Sequence, residues 1–430
     1  MTNIRNALMQ AAGSAGGDKV YVEDVFATHL YTGTGSTLAI NNGIDLSGEG
    51  GLVWIKRRST TRSHGLFDTE RGVNQRLYSN YDLASGTNTS SLTAFNSNGF
   101  TVGTESDINA SSETNVSWTF RKQEGFFDIV TYTGNGSART ISHNLGSVPG
   151  MIICKSTSAT ADWITYHNGA NNGSNAQKYH FKLNGTNAQA LDNDIWDNTQ
   201  PTATEFSLDT GPNANGTEYI AYLFASGADA ASQIFGDDGD EAIVKCGTFT
   251  TSSTWGIANA ECGFEPQWVM YKRTDDTEDW HIVDNMRGCG TKQGKWNGVD
   301  DGTQYSSVSA SNDQVLKANT NAAEANEGRA DFHATGFSVA TGIGSAEHIF
   351  IAIRRGPMKE PSAGTDVLGL DASHPSSYEN PFFQGNNVVD HAFWRTSTGG
   401  TNYSVSRLLQ GSYLQTQAQS AAGSTSQAVF

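Results

Sequence analysis

Four short markers recur in the same order three times along this chain, and that repetition limits the possible folds more than any single motif. "GLVWIKRR" at 51–58 returns as "GMIICKS" at 150–156, "QWVMYKR" at 267–273 and, more faintly, "VDHAFWR" at 389–395. Anchored on Lys56, Lys155, Lys272 and Arg395, the spacings are 99, 117 and 123 residues. "SHGLFD" at 63–68 aligns with "DWITYH" at 162–167 and "DWHIVD" at 279–284. "NGFTVG" at 98–103 aligns with "TEFSLD" at 204–209 and "TGFSVA" at 335–340, and "NVSWTFRK" at 115–122 with "EYIAYLFA" at 218–225 and "HIFIAIRR" at 348–355. A unit of about a hundred residues is domain-sized and too long for a solenoid repeat.

Each marker reads as a strand. In "NVSWTFRK", Val116, Trp118 and Phe120 alternate with Ser117, Thr119 and Arg121, the period-two pattern of a sheet with one wet face. "LVWI" is apolar on both faces, so its strand is central or covered. With 47 Gly, 8 Pro and 17% charged residues, the composition favours short strands joined by tight turns such as "TYTGNGSA" and "GEGG". The expectation is an all-β chain of tandem antiparallel β-sandwich domains, jelly-roll or lectin-like, rather than a barrel or an α/β fold.

The markers divide the sequence into an anchor and hinge at 1–27, repeats at 28–127, 128–240 and 241–363, and a linker with an incomplete fourth repeat at 364–430. Thr2 can cap a short N-terminal helix whose stripe is Ile4, Leu8 and Met9, a candidate assembly anchor ahead of the "GSAGG" hinge. The fourth copy carries no "GF-x-V" or closing marker, which suggests a polypeptide that continues or an edge that docks on a neighbour.

The formal charge of −17 argues against a nucleic-acid partner and against electrostatic adhesion to an anionic membrane. No run reaches the ~18 apolar residues of a membrane span, and the first residues lack a signal-peptide core, so synthesis in a cytoplasm is expected. Cys154, Cys246, Cys262 and Cys289 form no Cys-x-x-Cys pair. They read as buried thiols, with Cys246–Cys262 as the bridge to test.

If residues 51–80 were catalytic, the copies should keep equivalent groups. Instead Asp68 becomes His167 and then Asp284, and the Arg71-Gly72 pair returns only as Arg287-Gly288. What persists is the apolar pattern, the turn glycines and one cation at the strand exit, which is scaffold behaviour. Arg71 and Arg287 are placed to pin a turn by pairing with Asp68 and Asp284, while Lys56, Arg57 and Arg58 read as a solvated strand end rather than an anion site. His64, Asp68 and Glu70 resemble acid–base equipment, a grouping that exposed strands produce often.

"DWITYH" and "DWHIVD" mix aromatic faces with hydrogen-bonding groups, as a sugar site does. Asp162, Trp163, His167, Asp279, Trp280 and Asp284 are therefore the glycan-binding candidates, against the alternative that both indoles alternate into the core. In "GDDGDE" at 236–241, Asp237, Asp238 and Asp240 are the calcium candidates; the spacing is not that of an EF-hand, and an exposed linker is the plainer reading. No other cofactor is expected. There is no Gly-x-Ser-x-Gly, His-Glu-x-x-His, phosphate loop or dinucleotide fingerprint, and no catalysis is expected.

"MTNIRNALMQAAG" at the start, "GIDLSGEGGLVWIKRR…HGLFDTERGVNQRLYSN" at 43–80 and "LTAFNSNGFTVG…NVSWTFRKQEGFFDIVTYTGNGSARTISHNLGSVPGMIICK" through residue 155 resemble a family of repeated β-domains in virion proteins of tailed bacteriophages, especially marine and cyanobacterial ones. Likeness is closest over residues 1–230 and weakens at "GTKQGKWNGVDDGTQYSS". The resemblance implies a structural virion component, tail-fibre-like or another appendage (hub, collar or capsid), with no enzyme activity. It implies a protein released by lysis inside a particle, with other virion proteins as partners and a homo-oligomeric state. The alternative is a carbohydrate-binding adhesin for host surface polysaccharide, and a more distant one a polysaccharide-degrading enzyme.

Overall fold

The computed structural model describes residues 19–251, 257–289, 314–327, 330–340, 345–359, 391–394, 403–406, 412–415 and 423–424. The expected helix with Ile4, Leu8 and Met9 lies outside them. Each of the three copies builds the same main sheet. Its opening strand is Phe26–Thr32, Phe127–Thr133 or Val244–Thr251. The strand with the repeated lysine, termed the lysine strand, is Gly51–Arg57, Pro149–Ser156 or Pro266–Arg273. The turn strand is Gly65–Asp68, Ile164–His167 or His281–Asp284, and the closing strand is Thr114–Arg121, Glu218–Ala225 or Ala346–Arg354. Across every sheet the order is opening, closing, lysine, turn, all antiparallel.

A hairpin follows each turn strand. In the second and third copies, Tyr179–Lys182 with Ala190–Leu191, and Gln314–Lys317 with Ala325–Asn326, extend the main sheet. In the first, Gln75–Arg76 with Gly86–Thr87 attaches through one bridge, Leu66 to Leu77. The third marker forms a second, smaller sheet, where Gly99–Val102, Glu205–Leu208 and Gly336–Ala340 pair with Leu38–Asn41, Arg139–Ser142 and Ile257–Glu261. The chain is all-β, made of antiparallel two-sheet sandwiches, with helices as short as Val22–Val25 and Ser106–Asn109.

The doubly apolar lysine strand is covered on both faces. In the first copy, Val53, Ile55 and Phe67 pack with Ile40, Phe100 and Val102 of the small sheet. Leu52, Trp54 and Leu66, on the other face, join a cluster that also holds Ile152, Tyr222, Trp268 and Ile351 from the other copies. The third copy divides the same way, with Val269 and Tyr271 toward its small sheet and Trp268 and Met270 toward the shared cluster. At about 1.5–3 kcal/mol for each large apolar side chain removed from water, the shared face is a principal stabilising element. Aromatic rings meet there edge to face: Phe120 lies 5.7 Å from Trp268 and 5.5 Å from Phe224.

Two expectations are corrected by this packing. The polar face of the closing strand is not wet, because Ser117 and Thr119 are fully buried beneath the small sheet, where Asn42 donates to Thr119 Oγ1 at 2.8 Å. Nor is the lysine strand's basic end solvated: Lys56 and Arg57 are buried, and Arg58 pairs with Glu324 of the third copy at 2.7 Å. Ser117 and Thr119 are covered within their own copy, whereas Arg58 is taken up by another: the repeats do not lie as separate beads but pack against one another.

The chain enters and leaves this body on one side, where Val22 N–H donates to Pro357 C=O at 3.1 Å and Lys359 N–H to Glu23 Oε1 at 2.9 Å. Beyond it, His391–Trp394, Tyr403–Ser406, Ser412–Gln415 and Gly423–Ser424 form a four-stranded sheet in the order lysine, turn and hairpin strands take in the other copies.

Candidate functional site

Most of the polar groups picked out from the sequence converge on the three contacts between copies, and those contacts share one backbone pattern. Each has two backbone hydrogen bonds between one copy's hairpin loop and the turn after another copy's lysine strand. Ser85 N–H donates to Thr157 C=O at 2.9 Å and Ala161 N–H to Asp82 C=O at 2.8 Å. Gln189 N–H donates to Thr274 C=O and Glu278 N–H to Thr186 C=O, both at 2.9 Å. Glu324 N–H donates to Arg58 C=O and Arg62 N–H to Asn321 C=O, again both at 2.9 Å. These seams join copies one and two, two and three, and three and one, so the copies close into a ring.

A ring N–H reinforces each seam. Trp163 Nε1 donates to the carbonyls of Tyr78 and Tyr81, and Trp280 Nε1 to Lys182 C=O, all at 3.0 Å. In the first copy the position is His64. Its Nδ1 accepts from Trp54 Nε1 at 2.8 Å, so Nε2 bears the proton and meets Lys317 C=O at 3.0 Å. Burial drives the His64 pKa well below its ordinary value, consistent with a neutral ring.

The turn-strand residue Asp68, His167 or Asp284 makes a further bond in the opposite sense around the ring. Asp68 accepts from Tyr222 Oη at 2.7 Å, and Asp284 from Trp118 Nε1 at 3.0 Å. The residue of the third closing strand that corresponds to Trp118 and Tyr222 is Ile351, which pairs with Met270 as they pair with Trp54 and Ile153. Isoleucine offers no donor, and the residue facing this strand is a histidine. His167 Nε2 instead meets Phe350 C=O at 3.0 Å while Nδ1 accepts from Gly169 N–H at 3.0 Å; burial lowers its pKa to about 4. The Asp-to-His exchange therefore follows the loss of a donor on the facing strand.

Arg71 and Arg287 pin their turns as the sequence suggested. Each guanidinium Nε donates to the aspartate three residues earlier at 2.6 Å, and its NH2 to Leu66 or Ile282 C=O at 3.0 Å. Gly72 and Gly288 follow with φ of 83° and 98°, a left-handed conformation that favours glycine. Arg287 also reaches Glu324 Oε1 at 3.0 Å, and Glu324 accepts from Arg58 Nε at 2.9 Å, so the third-to-first seam holds a buried network. Burial alone would lower the Arg287 pKa, but the Asp284 and Glu324 carboxylates outweigh it and hold it above its ordinary value.

The repeated lysines line the same seams. Lys155 Nζ donates to Asp82 C=O at 3.2 Å across the seam and to Ser156 C=O at 2.8 Å. Lys272 Nζ does the same with Thr186 C=O at 3.0 Å and Glu278 C=O at 2.7 Å, and Lys56 Nζ meets Arg57 C=O at 2.7 Å. Burial lowers the pKa of Lys56 to about 7 and of Lys155 and Lys272 to about 8.

The six glycan candidates thus share no open concave surface. Trp163, Trp280, His167 and Asp284 are buried in the seams, the core alternative for the indoles. Asp162 and Asp279 are half-exposed and clamp their own hairpins: Asp162 pairs with Lys182 at 2.6 Å and accepts from Asn184, and Asp279 pairs with Lys317 at 3.2 Å and accepts from Asn319. His64 and Asp68 are committed to different seams, while Glu70 takes Lys122 at 2.8 Å. Asp237 is held by Lys19 at 3.1 Å and Tyr21 at 2.7 Å, and among the described residues no three His, Cys, Asp or Glu side chains are grouped to hold a metal. Cys246 and Cys262 are separate buried thiols, not a bridge.

The sequence reading missed Trp118, Tyr222 and Glu324 as partners. The signal was present as linked changes between copies: Asp68 with Tyr222, Asp284 with Trp118, His167 with Ile351.

Fold and seams together define a closed ring of three β-sandwiches whose buried polar groups hold the ring shut. The chain belongs to the family described as a domain of unknown function (DUF7483), whose model matches residues 22–353. That range runs across all three copies. No curated protein matches the chain.

Proposed function

We propose that this protein is a structural, non-enzymatic component of a tailed-bacteriophage particle, tail-fibre-like or another appendage. The observation that carries the non-enzymatic part is the consumption of the acid–base candidates, His64, Asp68, His167 and Asp284, by seam hydrogen bonds. A catalytic group must reach a substrate, and these reach neighbouring copies instead. The virion assignment rests on the sequence likeness given above. Under this reading the chain resides in the virion, contacts other virion proteins, forms a homo-oligomer and needs no cofactor; nucleic acid and membrane insertion are not part of its work. An adhesin role would have to use a surface other than Trp163 and Trp280.

The test is proteomic and structural. In purified particles of a phage encoding this chain, it should appear at a fixed stoichiometry to the major tail proteins, and antibodies should decorate one site on the particle. Absence from washed particles, with the chain abundant in the lysate, would overturn the assignment.

A further inference from the structure

The copies also differ where one of them leaves a charge uncompensated. Arg57 and Arg273 occupy the same position, directly after the repeated lysine. Arg273 is met by a carboxylate two residues on: its Nε donates to Asp275 Oδ1 at 2.6 Å and its NH2 to Asp275 Oδ2 at 3.4 Å, with Asp276 3.7 Å away. In the second copy the position is Ser156, whose Oγ accepts from Ala159 N–H at 3.0 Å. In the first copy the residues matching Asp275 and Asp276 are Ser59 and Thr60. Arg57 is only 3% exposed, and its one side-chain bond is from NH1 to Thr60 Oγ1 at 3.2 Å. Its Nε and NH2, the edge that Asp275 fills on Arg273, are buried without a partner.

A second polar atom is orphaned beside it. Arg57 pairs across the sheet with Asn115, which pairs with Tyr31, and Asn115 Oδ1 is buried without a partner. The equivalent pairs are stacked rings, Tyr132 on Tyr219 at 5.2 Å and Phe249 on His348 at 4.6 Å. Only in this copy does the row end in uncompensated polar groups. The nearby Glu113 carboxylate is engaged by Ser59 Oγ. A buried guanidinium without a counter-charge is costly, and its Nε/NH2 edge matches two oxygens of one planar carboxylate.

We propose that Arg57 is an anion-binding residue that takes an organic carboxylate supplied from outside the chain, in the place that Asp275 fills internally in the third copy. Solvent is one turn away, since Ser59, Thr60 and Thr61 are exposed. The site lies at the strand ends remote from Phe26 and Arg121, the side opposite to where the chain enters and leaves. The inference does not depend on the particle assignment.

The experiment uses the full chain with acetate and glucuronate as probes, against glucose and against chloride at matched ionic strength. Thermal shift and calorimetry should show saturable binding of both carboxylates and none of glucose. Arg57→Gln should weaken carboxylate binding by about tenfold or more, the loss typical of a charged hydrogen-bonding partner. Ser59→Asp combined with Glu113→Gln should recreate the third copy's internal pair, abolish the response and raise the thermal midpoint; the second change removes the like charge beside the new carboxylate. No carboxylate-specific response in the wild type, or an equal response in both variants, would overturn the proposal and assign the orphaned edge to water.

Discussion

At the positions where the seam between the third and first copies carries an ion-pair network, the seam between the second and third has uncharged side chains. In the former, Asp284, Arg287, Glu324 and Arg58 form a buried chain capped by the Trp118 indole. In the latter, His167 meets a backbone carbonyl, and Gln189, which matches Glu324, accepts from Asn171 N–H at 2.7 Å. The backbone bonds are the same length in both. Seam geometry therefore belongs to the fold, while the side chains at each seam are matched only to one another. The ionic seam is also the one that no peptide linker spans. Opposite charges that are buried and mutually satisfied penalise wrong partners strongly, so this network is suited to selecting the closing contact.

That contrast can be broken experimentally. The largest losses are expected for Trp163→Ala and Trp280→Ala, roughly 3–5 kcal/mol each in urea unfolding, because each removes a buried indole and leaves a seam carbonyl unsatisfied. Unchanged stability in either variant would refute the seam role and reopen the sugar-site reading. Glu324→Ala should cost about 3–5 kcal/mol by removing the buried carboxylate that Arg287 and Arg58 share, against about 1 kcal/mol for Gln189→Ala. Equal losses would mean that the ionic seam has no special weight.

A sharper test exchanges the chemistry. His167→Asp alone buries a carboxylate opposite Ile351, and Ile351→Tyr alone overfills the shared core, each costing about 1–3 kcal/mol. Together they recreate the Asp68–Tyr222 pair, and a double-mutant cycle should give a favourable coupling of at least about 1 kcal/mol. Strict additivity would show that the Asp and His variants are not matched to the facing strand.

The smallest effect is a slope. Lys56, Lys155 and Lys272 have folded pKa values of about 7, 8 and 8, below their ordinary 10.5. Between those limits the unfolded chain binds more protons, so these lysines make stability rise as pH climbs from about 7 toward 10, and their contribution is level below that range. Lys56→Met should flatten the rise in urea midpoint between pH 6.5 and 9.5 and stabilise most at the lower pH. An unchanged slope would indicate that Lys56 is hydrated.

Much of the architecture was legible in the residues. The double apolar face of "LVWI" marked a strand covered on both sides, and the Asp-x-x-Arg-Gly pattern marked a pinned turn, since both follow from contacts within a few residues or one sheet. The candidate site was not legible in the same way. "DWITYH" read equally as sugar platform and as core, because period-two alternation gives the face of Trp163 but not what lies against it. Ser117 and Thr119 looked wet because a polar row beneath a second sheet has the same pattern as a polar row in water. Lys56 and Arg58 looked solvated because nothing near them in sequence shows that another copy's hairpin closes over the strand end.

The sequence by itself determined the strand markers, the threefold repetition, the all-β sandwich class and the pinned turns, because alternation, turn chemistry and close pairs are local. The tertiary structure alone decided that the sandwiches close into one ring and that Trp118 serves Asp284, 166 residues away. It alone also showed that Arg57 lacks the carboxylate its counterpart has. Those facts depend on which surfaces are pressed together at long range, where a charge or an indole is judged by its neighbour across a seam rather than by its neighbours along the chain.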